Sequence, residues 1–198
     1  MQKRSQTGLL RTFASYRQVL RNRRFVTIWL QHSFTGGVFF AYIASSPFIF
    51  QQHYGFSPFW FSLIFGFNAF GIGVASALSM KFKTPAQSTR TASLALFVLT
   101  IGQMAAMLMD APFLVYETLS FLMMLGIGLT FASSVTLAMN LEHEHAGAAS
   151  ALIGAMLFAA GAVVSPIVGI GNILHATAVV YVVCATFALV FERASRLA

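Results

Sequence analysis

Six apolar stretches alternate with short polar segments along the chain, and each stretch is long enough to form a helix that crosses a membrane. Such a helix needs roughly 20 residues to cover about 30 Å of hydrocarbon. The connections after the third and fifth stretches are only a few residues long, which predicts tight antiparallel hairpins. The predicted helices lie near residues 26–50, 59–80, 91–109, 113–139, 148–171 and 174–191.

The composition supports this prediction, because 58% of the residues are hydrophobic and 9% are charged. That leaves too little polar surface to cover a water-soluble globule. We therefore predict an all-α membrane protein, with residues 26–191 as a six-helix transmembrane bundle. Residues 1–25 form a basic cytoplasmic linker before it, and residues 192–198 form a cytoplasmic tail.

The basic residues indicate the orientation of the bundle, because all 12 fall on one side if the six helices alternate in direction. Cytoplasmic loops of membrane proteins are enriched in Lys and Arg, so both termini are expected in the cytoplasm. Anionic lipid headgroups explain the net charge of +7 at that membrane face, and nucleic-acid binding is excluded as its cause. The basic residues are Lys3, Arg4, Arg11, Arg17, Arg21, Arg23, Arg24, Lys81, Lys83, Arg90, Arg193 and Arg196.

The segment before the first stretch predicts a short amphipathic helix on the cytoplasmic headgroups. Leu9, Phe13, Tyr16 and Leu20 recur at helical spacing, and arginines occupy much of the remaining surface. The alternative is a solvated linker whose arginines only set the orientation.

Small residues recur along one face of the second and fifth predicted helices. Helices in lipid associate where small residues allow close backbone approach, so these faces are predicted packing seams. The seams are Ser62, Gly66, Ala69, Gly73 and Ala77 in the second helix, and Ser150, Gly154, Gly161 and Ser165 in the fifth.

One face of the first predicted helix is polar. Gln31, Thr35, Tyr42 and Ser46 share it at helical spacing, the arrangement expected of a helix that lines a polar cavity. These residues are candidate substrate ligands. Asn68, in the second predicted helix, is instead expected to join helices by hydrogen bonding.

Two titratable residues are candidates for proton coupling. Glu117 is the acidic residue placed inside a predicted span, and intramembrane carboxyl groups usually face a cavity or a partner. A carboxyl group one turn from the interface can also reach water, which is the alternative for Glu117. His32 is the second candidate, since an imidazole titrates near neutral pH; such residues are also commonly structural.

The sequence does not indicate an enzyme, a cofactor or a metal. It has no Walker motif and no nucleophile elbow. Its single cysteine, Cys184, excludes an intramolecular disulfide or a thiolate cluster. His143 and His145 alternate with Glu142 and Glu144, but they lack the i, i+4 spacing of zinc enzymes, so this segment is predicted to be a solvated loop.

Three segments stand in order along the first two predicted helices: residues 39–48 (FFAYIASSPF), 54–58 (YGFSP) and 65–71 (FGFNAFG). They resemble the seventh and eighth helices of the bicyclomycin/chloramphenicol resistance (Bcr/CflA) family of drug/proton antiporters, within the major facilitator superfamily. Residues 145–154 (HAGAASALIG) with 161–162 resemble the tenth-to-eleventh connection and the eleventh helix. Residues 16–25 resemble the end of the central linker. Leu157 departs from the pattern, which has glutamine there, and residues 81–90 match the superfamily loop motif only loosely.

The resemblance implies the C-terminal half of a twelve-helix transporter built of two six-helix halves, each with two inverted three-helix repeats. In such transporters the first helix of this half lines the central cavity, so Phe39, Tyr42 and Met124 are expected to offer adaptable surface to large apolar drugs. The expected partners are lipid, drugs or metabolites, protons and the N-terminal half, in a bacterial cytoplasmic membrane. The alternatives are a self-sufficient homodimeric transporter and a non-transporting membrane scaffold or regulator.

Overall fold

The computed structural model describes the backbone of residues 7–197 and the side chains of residues 14–197, and this part of the chain is helical with turns and no strand. One short helix precedes six long ones. A π-helical segment, Ile49–His53, extends the second helix. The helices are α1 (Thr7–Arg21), α2 (Arg23–Phe48), α3 (Pro58–Leu78), α4 (Pro85–Leu108), α5 (Phe113–Leu141), α6 (Ala146–Ile167) and α7 (Ile173–Ala194).

The six predicted apolar spans are confirmed, since α2 to α7 are each long and apolar enough to cross a membrane. Their bounds differ from the predicted ones where capping residues set the helix ends. Thr84 accepts a hydrogen bond from the Gln87 amide and Pro85 takes the first helical position, so α4 begins six residues before the predicted start. Asn22 caps α2 in the same way.

The long helices form two layers. The first runs in the order α3, α5, α2, α6, and the second contains α4 and α7, which pack on α5 and α2 respectively and on each other. The pairing repeats: α5 packs on α3 and α4 as α2 packs on α6 and α7. Since α2 and α5 run in opposite directions, the bundle consists of two inverted three-helix units, α2–α4 and α5–α7.

In the part of the chain that the structure describes, no other helix packs on the glycines of the predicted α3 seam. All five seam residues are exposed, and a Cβ built on Gly66 or Gly73 has no described atom within 4 Å beyond the adjacent backbone of α3. The α3–α5 interface instead uses the next face of α3, where Gly71 meets the ring of Phe121 and Gly128 meets the backbone of Ile72. A period of small residues identifies a close-packing face without identifying its partner.

The predicted seam of α6 is divided in the same way. Gly161 packs against the ring of Phe40 on α2, so that a Cβ at this position would lie 2.6 Å from the ring. A Cβ on Gly154 has no atom of another described helix within 4 Å, and Ser150 is exposed. Both edge helices of the first layer therefore have an open face of small residues.

The N-terminal helix α1 packs on α2 and α6. Its buried contact is Val19, which joins Phe25, Ile28 and Ile153 in a small apolar cluster. The helix turns Val19 toward the bundle and leaves Leu20 42% exposed, as expected of an apolar side chain that lies on lipid headgroups, so the stripe stays a prediction. The side chains of Leu9 and Phe13 lie outside the described residues.

Candidate functional site

A hydrogen-bonded network joins three helices of the first layer near one end of the bundle. The Asn68 amide on α3 donates to Tyr42 Oη on α2, at 2.8 Å. It also donates to Glu117 Oε1 on α5, at 2.8 Å. Asn68 is fully buried, so the expectation that it joins helices by hydrogen bonding is confirmed.

The second carboxyl oxygen of Glu117 has no hydrogen-bond partner among the described residues. Glu117 lies between buried and exposed, and it borders a groove of about 430 Å³ between α3 and α5. The groove is lined by Trp60, Leu63, Phe67 and Phe121, among others. A carboxyl group held by one neutral amide beside an apolar groove can accept a proton or a hydrogen-bond donor from a ligand.

The polar face of α2 points into the bundle. Gln31, Thr35, Tyr42 and Ser46 are each at most 2% exposed. Gln31 Nε2 donates to Ser93 Oγ on α4, at 3.2 Å, and Thr35 Oγ1 donates to the Gln31 carbonyl, at 3.1 Å. Gln31 lies eleven residues, or about 16 Å along the helix, from Tyr42, so these two residues lie at different heights in the bundle. The assignment of the four residues to substrate binding stays a prediction.

The apolar candidates are divided between surface and core. Phe39 is half-buried and its ring lies edge-on to that of Phe131 on α5, with centroids 5.8 Å apart. Met124 is fully buried in the main core cluster. A ring stacked on Tyr42, that of Phe65 on α3 at 5.7 Å, was not among the residues predicted from sequence.

The imidazole of His32 is buried against α5. Its Nδ1 atom is hydrogen-bonded to Ser134 Oγ at 2.8 Å, and its ring lies 4.8 Å from that of Phe131. Ser134 also donates to the Thr130 carbonyl of its own helix. His32 therefore joins α2 to α5 at a point separate from the network around Asn68.

The segment 142–145 is solvated only in part: His143 and Glu144 are exposed as predicted, whereas Glu142 is buried. Glu142 is 8% exposed, and its Oε1 atom accepts a hydrogen bond from Asn22 Nδ2 at 2.6 Å. His145 lies 3.7 Å from the second carboxyl oxygen. Asn22 thus caps α2 and ties it to the α5–α6 connection, 120 residues away in the sequence, which local sequence cannot indicate.

A second tie lies at the opposite end of the bundle. His53 Nε2 is 3.0 Å from Asp110 Oδ1, and Tyr54 Oη donates to the Ala111 carbonyl at 3.0 Å. Burial, and secondly the carboxylate of Asp110, raise the pKa of Tyr54 above its ordinary value. These contacts fasten the end of α2 to the short α4–α5 connection.

Comparisons with known proteins give the chain a family. The sequence model of the Major Facilitator Superfamily matches residues 2–166. The uncharacterized MFS-type transporter YdgK of Bacillus subtilis (strain 168) is 30% identical over 191 residues, which cover 91% of this chain and 48% of YdgK. The chain thus spans about half the length of the curated relative that it matches. With its six apolar helices, the chain is a multi-pass membrane protein that belongs to the Major Facilitator Superfamily.

Proposed function

We propose that this chain is the C-terminal half of a proton-driven multidrug exporter that works by alternating access in a bacterial cytoplasmic membrane, with both termini in the cytoplasm. The observation that carries the proposal is the pair of open small-residue faces on α3 and α6. They flank α2 and α5 at the two edges of one layer. The chain also spans about half of its relative.

A second six-helix unit fits these faces. Helices in lipid associate through small residues that allow close backbone approach. Gly66, Gly73 and Gly154 supply such positions, and no other described helix packs on them. A unit that contacts both α3 and α6 encloses the surface of α2 and α5 between them. Rocking of two such units about an enclosed site is the general mechanism of alternating access.

The drug-facing surface in this proposal consists of partly buried aromatic and aliphatic side chains on the first layer. Phe39, Ile43, Phe65 and Phe131 pack on the core without being enclosed by it. Aromatic rings offer apolar drugs large contact areas at low cost in side-chain entropy. Tyr42, which stacks on Phe65 and binds Asn68, places a polar group beneath this surface.

Glu117 is the proposed proton-coupling residue of this half. Its carboxyl group is held by Asn68 alone among the described residues, and no Lys, Arg or His forms an ion pair with it there. Binding or release of a proton changes both its charge and its hydrogen bonding to Asn68, and hence its attraction for a cationic drug. His32 is the second candidate, since it links α2 to α5.

The decisive experiment is reconstitution in proteoliposomes with an imposed pH gradient. The chain is tested alone and together with the part of YdgK that it does not match, using a panel of fluorescent drugs. We expect gradient-dependent drug movement only when both parts are present. Gradient-dependent drug movement by this chain alone would reject the half-transporter proposal in favour of a homodimer. An absence of gradient-dependent drug movement both with and without the second part would reject drug transport.

Proton coupling is tested in the same vesicles. Glu117→Gln keeps the hydrogen-bond acceptor for Asn68 and removes the titratable group, so it should abolish the dependence on the pH gradient. Glu144→Gln, at an exposed position, is the matched control and should transport as the unaltered chain does. Equal gradient dependence in both variants would exclude Glu117 as the coupling residue.

A further inference from the structure

A cleft of about 280 Å³ opens at the basic end of the bundle, between the ends of α2, α4, α5 and α7. This volume is far above the roughly 15 Å³ that one water requires. Arg24, Arg90, Arg196 and Glu192 line the cleft, so three of its charged side chains are cationic and one is anionic. It lies at the opposite end of α2 from Tyr42 and is separate from the network around Asn68.

The positive charge of the cleft is only partly neutralised within the protein. Glu192 is paired with Arg196, whose Nε and Nη2 atoms contact its two carboxyl oxygens. Among the described residues, Arg24 and Arg90 form no ion pair with a carboxylate. The first turn of α4 also lines the cleft with Ala86 and Gln87, and the start of a helix carries a partial positive charge.

A buried hydrogen-bond acceptor faces this positive cleft. Gln31 lines it and is 1% exposed, and its Oε1 atom has no hydrogen-bond partner among the residues that the structure describes. The Nε2 atom of the same amide is already used by Ser93 and Thr35. A ligand that satisfies the cleft therefore brings anionic oxygens for the arginines and a hydroxyl donor for Gln31.

We propose that this cleft binds a phosphate ester whose organic group carries a free hydroxyl. The glycerol headgroup of an anionic phospholipid and a soluble phosphate monoester both have this chemistry. The planar forks of Arg24 and Arg90 suit phosphate oxygens. Since the cleft lies where the helices end, it is at the depth of lipid headgroups. That it faces the cytoplasm rests on the proposed orientation, whereas the binding does not.

Binding is measured on the purified full chain in detergent, by native mass spectrometry and by the shift of the thermal unfolding midpoint. The probes are inorganic phosphate, glycerol 3-phosphate and phosphatidylglycerol, with phosphatidylcholine as the zwitterionic comparison. Arg24→Gln and Arg90→Gln should each weaken binding at least about tenfold, because each removes a charged hydrogen-bond donor. Arg193→Gln removes a charge from the same end outside the cleft and should change binding less than about twofold.

The probes distinguish the source of the phosphate group. Binding of phosphatidylglycerol alone supports a lipid headgroup, and comparable binding of glycerol 3-phosphate supports a soluble monoester. Equal weakening in all three variants would reduce the effect to general surface charge and overturn the proposal, as would an absence of binding by every probe. If a glutamine variant fails to fold, Arg24→Lys and Arg90→Lys replace it, and these should weaken binding by a smaller factor.

The result is independent of transport. Phosphate binding in a chain that never supports drug movement with a second half would retain this site and reject the proposed function. Drug movement by a chain that binds none of the probes would do the reverse.

Discussion

The amide nitrogen of Asn68 lies 2.8 Å from Oε1 of Glu117, across the interface between α3 and α5. The same nitrogen contacts Tyr42 Oη on α2, so one side chain joins three helices. Because α3 also has the open row of Gly66 and Gly73, a change in the state of the Glu117 carboxyl group acts directly on the helix proposed to meet the second half.

Asn68→Leu should destabilise the bundle. The substitution removes both interhelical hydrogen bonds and leaves the Glu117 carboxyl group without a partner. Interhelical hydrogen bonds in membranes contribute about 0.6 kcal/mol on average and up to about 1.7 kcal/mol each, so we expect a loss of about 1–3 kcal/mol in the free energy of unfolding. Unfolding of the purified chain in mixed micelles with increasing denaturing detergent measures it.

The matched control for this prediction is Ser62→Ala on the same helix. Ser62 is exposed and donates only to the Pro58 carbonyl of its own helix. The Ser62→Ala substitution should therefore change the free energy of unfolding by close to zero. A double-mutant cycle with Glu117→Ala isolates the Asn68–Glu117 coupling. Additive losses in the cycle would show that this hydrogen bond contributes nothing to stability.

Asn22→Ala should cost more than the loss of a helix cap. Both Asn22 and Asn172 cap a helix through their side-chain oxygen, and removal of such a cap costs about 1 kcal/mol. Asn22 in addition donates to the buried carboxyl group of Glu142, which the substitution leaves without that partner. We therefore expect Asn22→Ala to lower the free energy of unfolding by about 1–2 kcal/mol more than Asn172→Ala does.

Limited trypsin digestion gives a second readout of the Asn22 tie. The α1–α2 junction contains Arg21 and Arg23 on either side of Asn22, and loss of the tie to Glu142 should speed cleavage there. Asn172→Ala should leave that rate unchanged. If both variants digest alike at the junction, Asn22 acts as a cap and nothing more.

The sequence predicts the six helices because the length of an apolar run is set by membrane thickness, a property of the run alone. The start of α4 was missed by six residues because Thr84 and Pro85 are polar or neutral in hydropathy but cap and begin the helix. Hydropathy locates the membrane-embedded part of a helix, whereas capping chemistry sets where the helix begins.

The site was predicted only in part, because its contacts join residues far apart in the chain. Tyr42 and Glu117 were both candidates, but their connection through Asn68 spans 26 residues to one and 49 to the other. Helical spacing placed Gln31 and Tyr42 on one face correctly. It could not show that α4 contacts this face at Gln31 whereas α3 contacts it at Tyr42.

Stability of the Asp110 end should fall at alkaline pH through Tyr54. Its pKa is raised, chiefly by burial and then by Asp110, so the folded state favours the protonated hydroxyl. The stabilisation is complete below the ordinary tyrosine pKa of about 10 and is lost as pH rises through the raised value. Thermal unfolding against pH should show an alkaline decline that Tyr54→Phe reduces.

Asp110→Asn separates the two causes of the raised Tyr54 pKa. Asp110 has a φ of 54°, a conformation that Asn also tolerates, so the backbone should be retained. The Tyr54 pKa should fall but stay above its ordinary value, because burial is the larger cause. Ultraviolet titration, as the difference from Tyr54→Phe, tests this; an unchanged Tyr54 pKa would assign the whole shift to burial.

Orientation is testable with single cysteines in a Cys184→Ser background. Gln52 and Lys83 are exposed at opposite ends of the bundle, so an impermeant thiol reagent added to intact cells should label Gln52→Cys and not Lys83→Cys. Labelling of Lys83→Cys from outside would reverse the proposed orientation.

Replacement of two nearby glycines of α3 by leucine should have different effects, one on the stability of the chain and the other on its assembly with the second half. A Cβ on Gly71 lies 2.7 Å from the Phe121 ring, whereas one on Gly73 has no atom of another described helix within 4 Å. Gly71→Leu should therefore destabilise the isolated chain by about 1–3 kcal/mol through overpacking. Gly73→Leu should leave its unfolding unchanged and prevent co-purification with the second half, because the leucine occupies the space that a second helix backbone needs. Gly66→Leu, on the same open row, should repeat the Gly73→Leu result. Normal co-purification of both open-row variants would mean that the second half does not pack on this face of α3, and the proposed assembly would then have to use another surface.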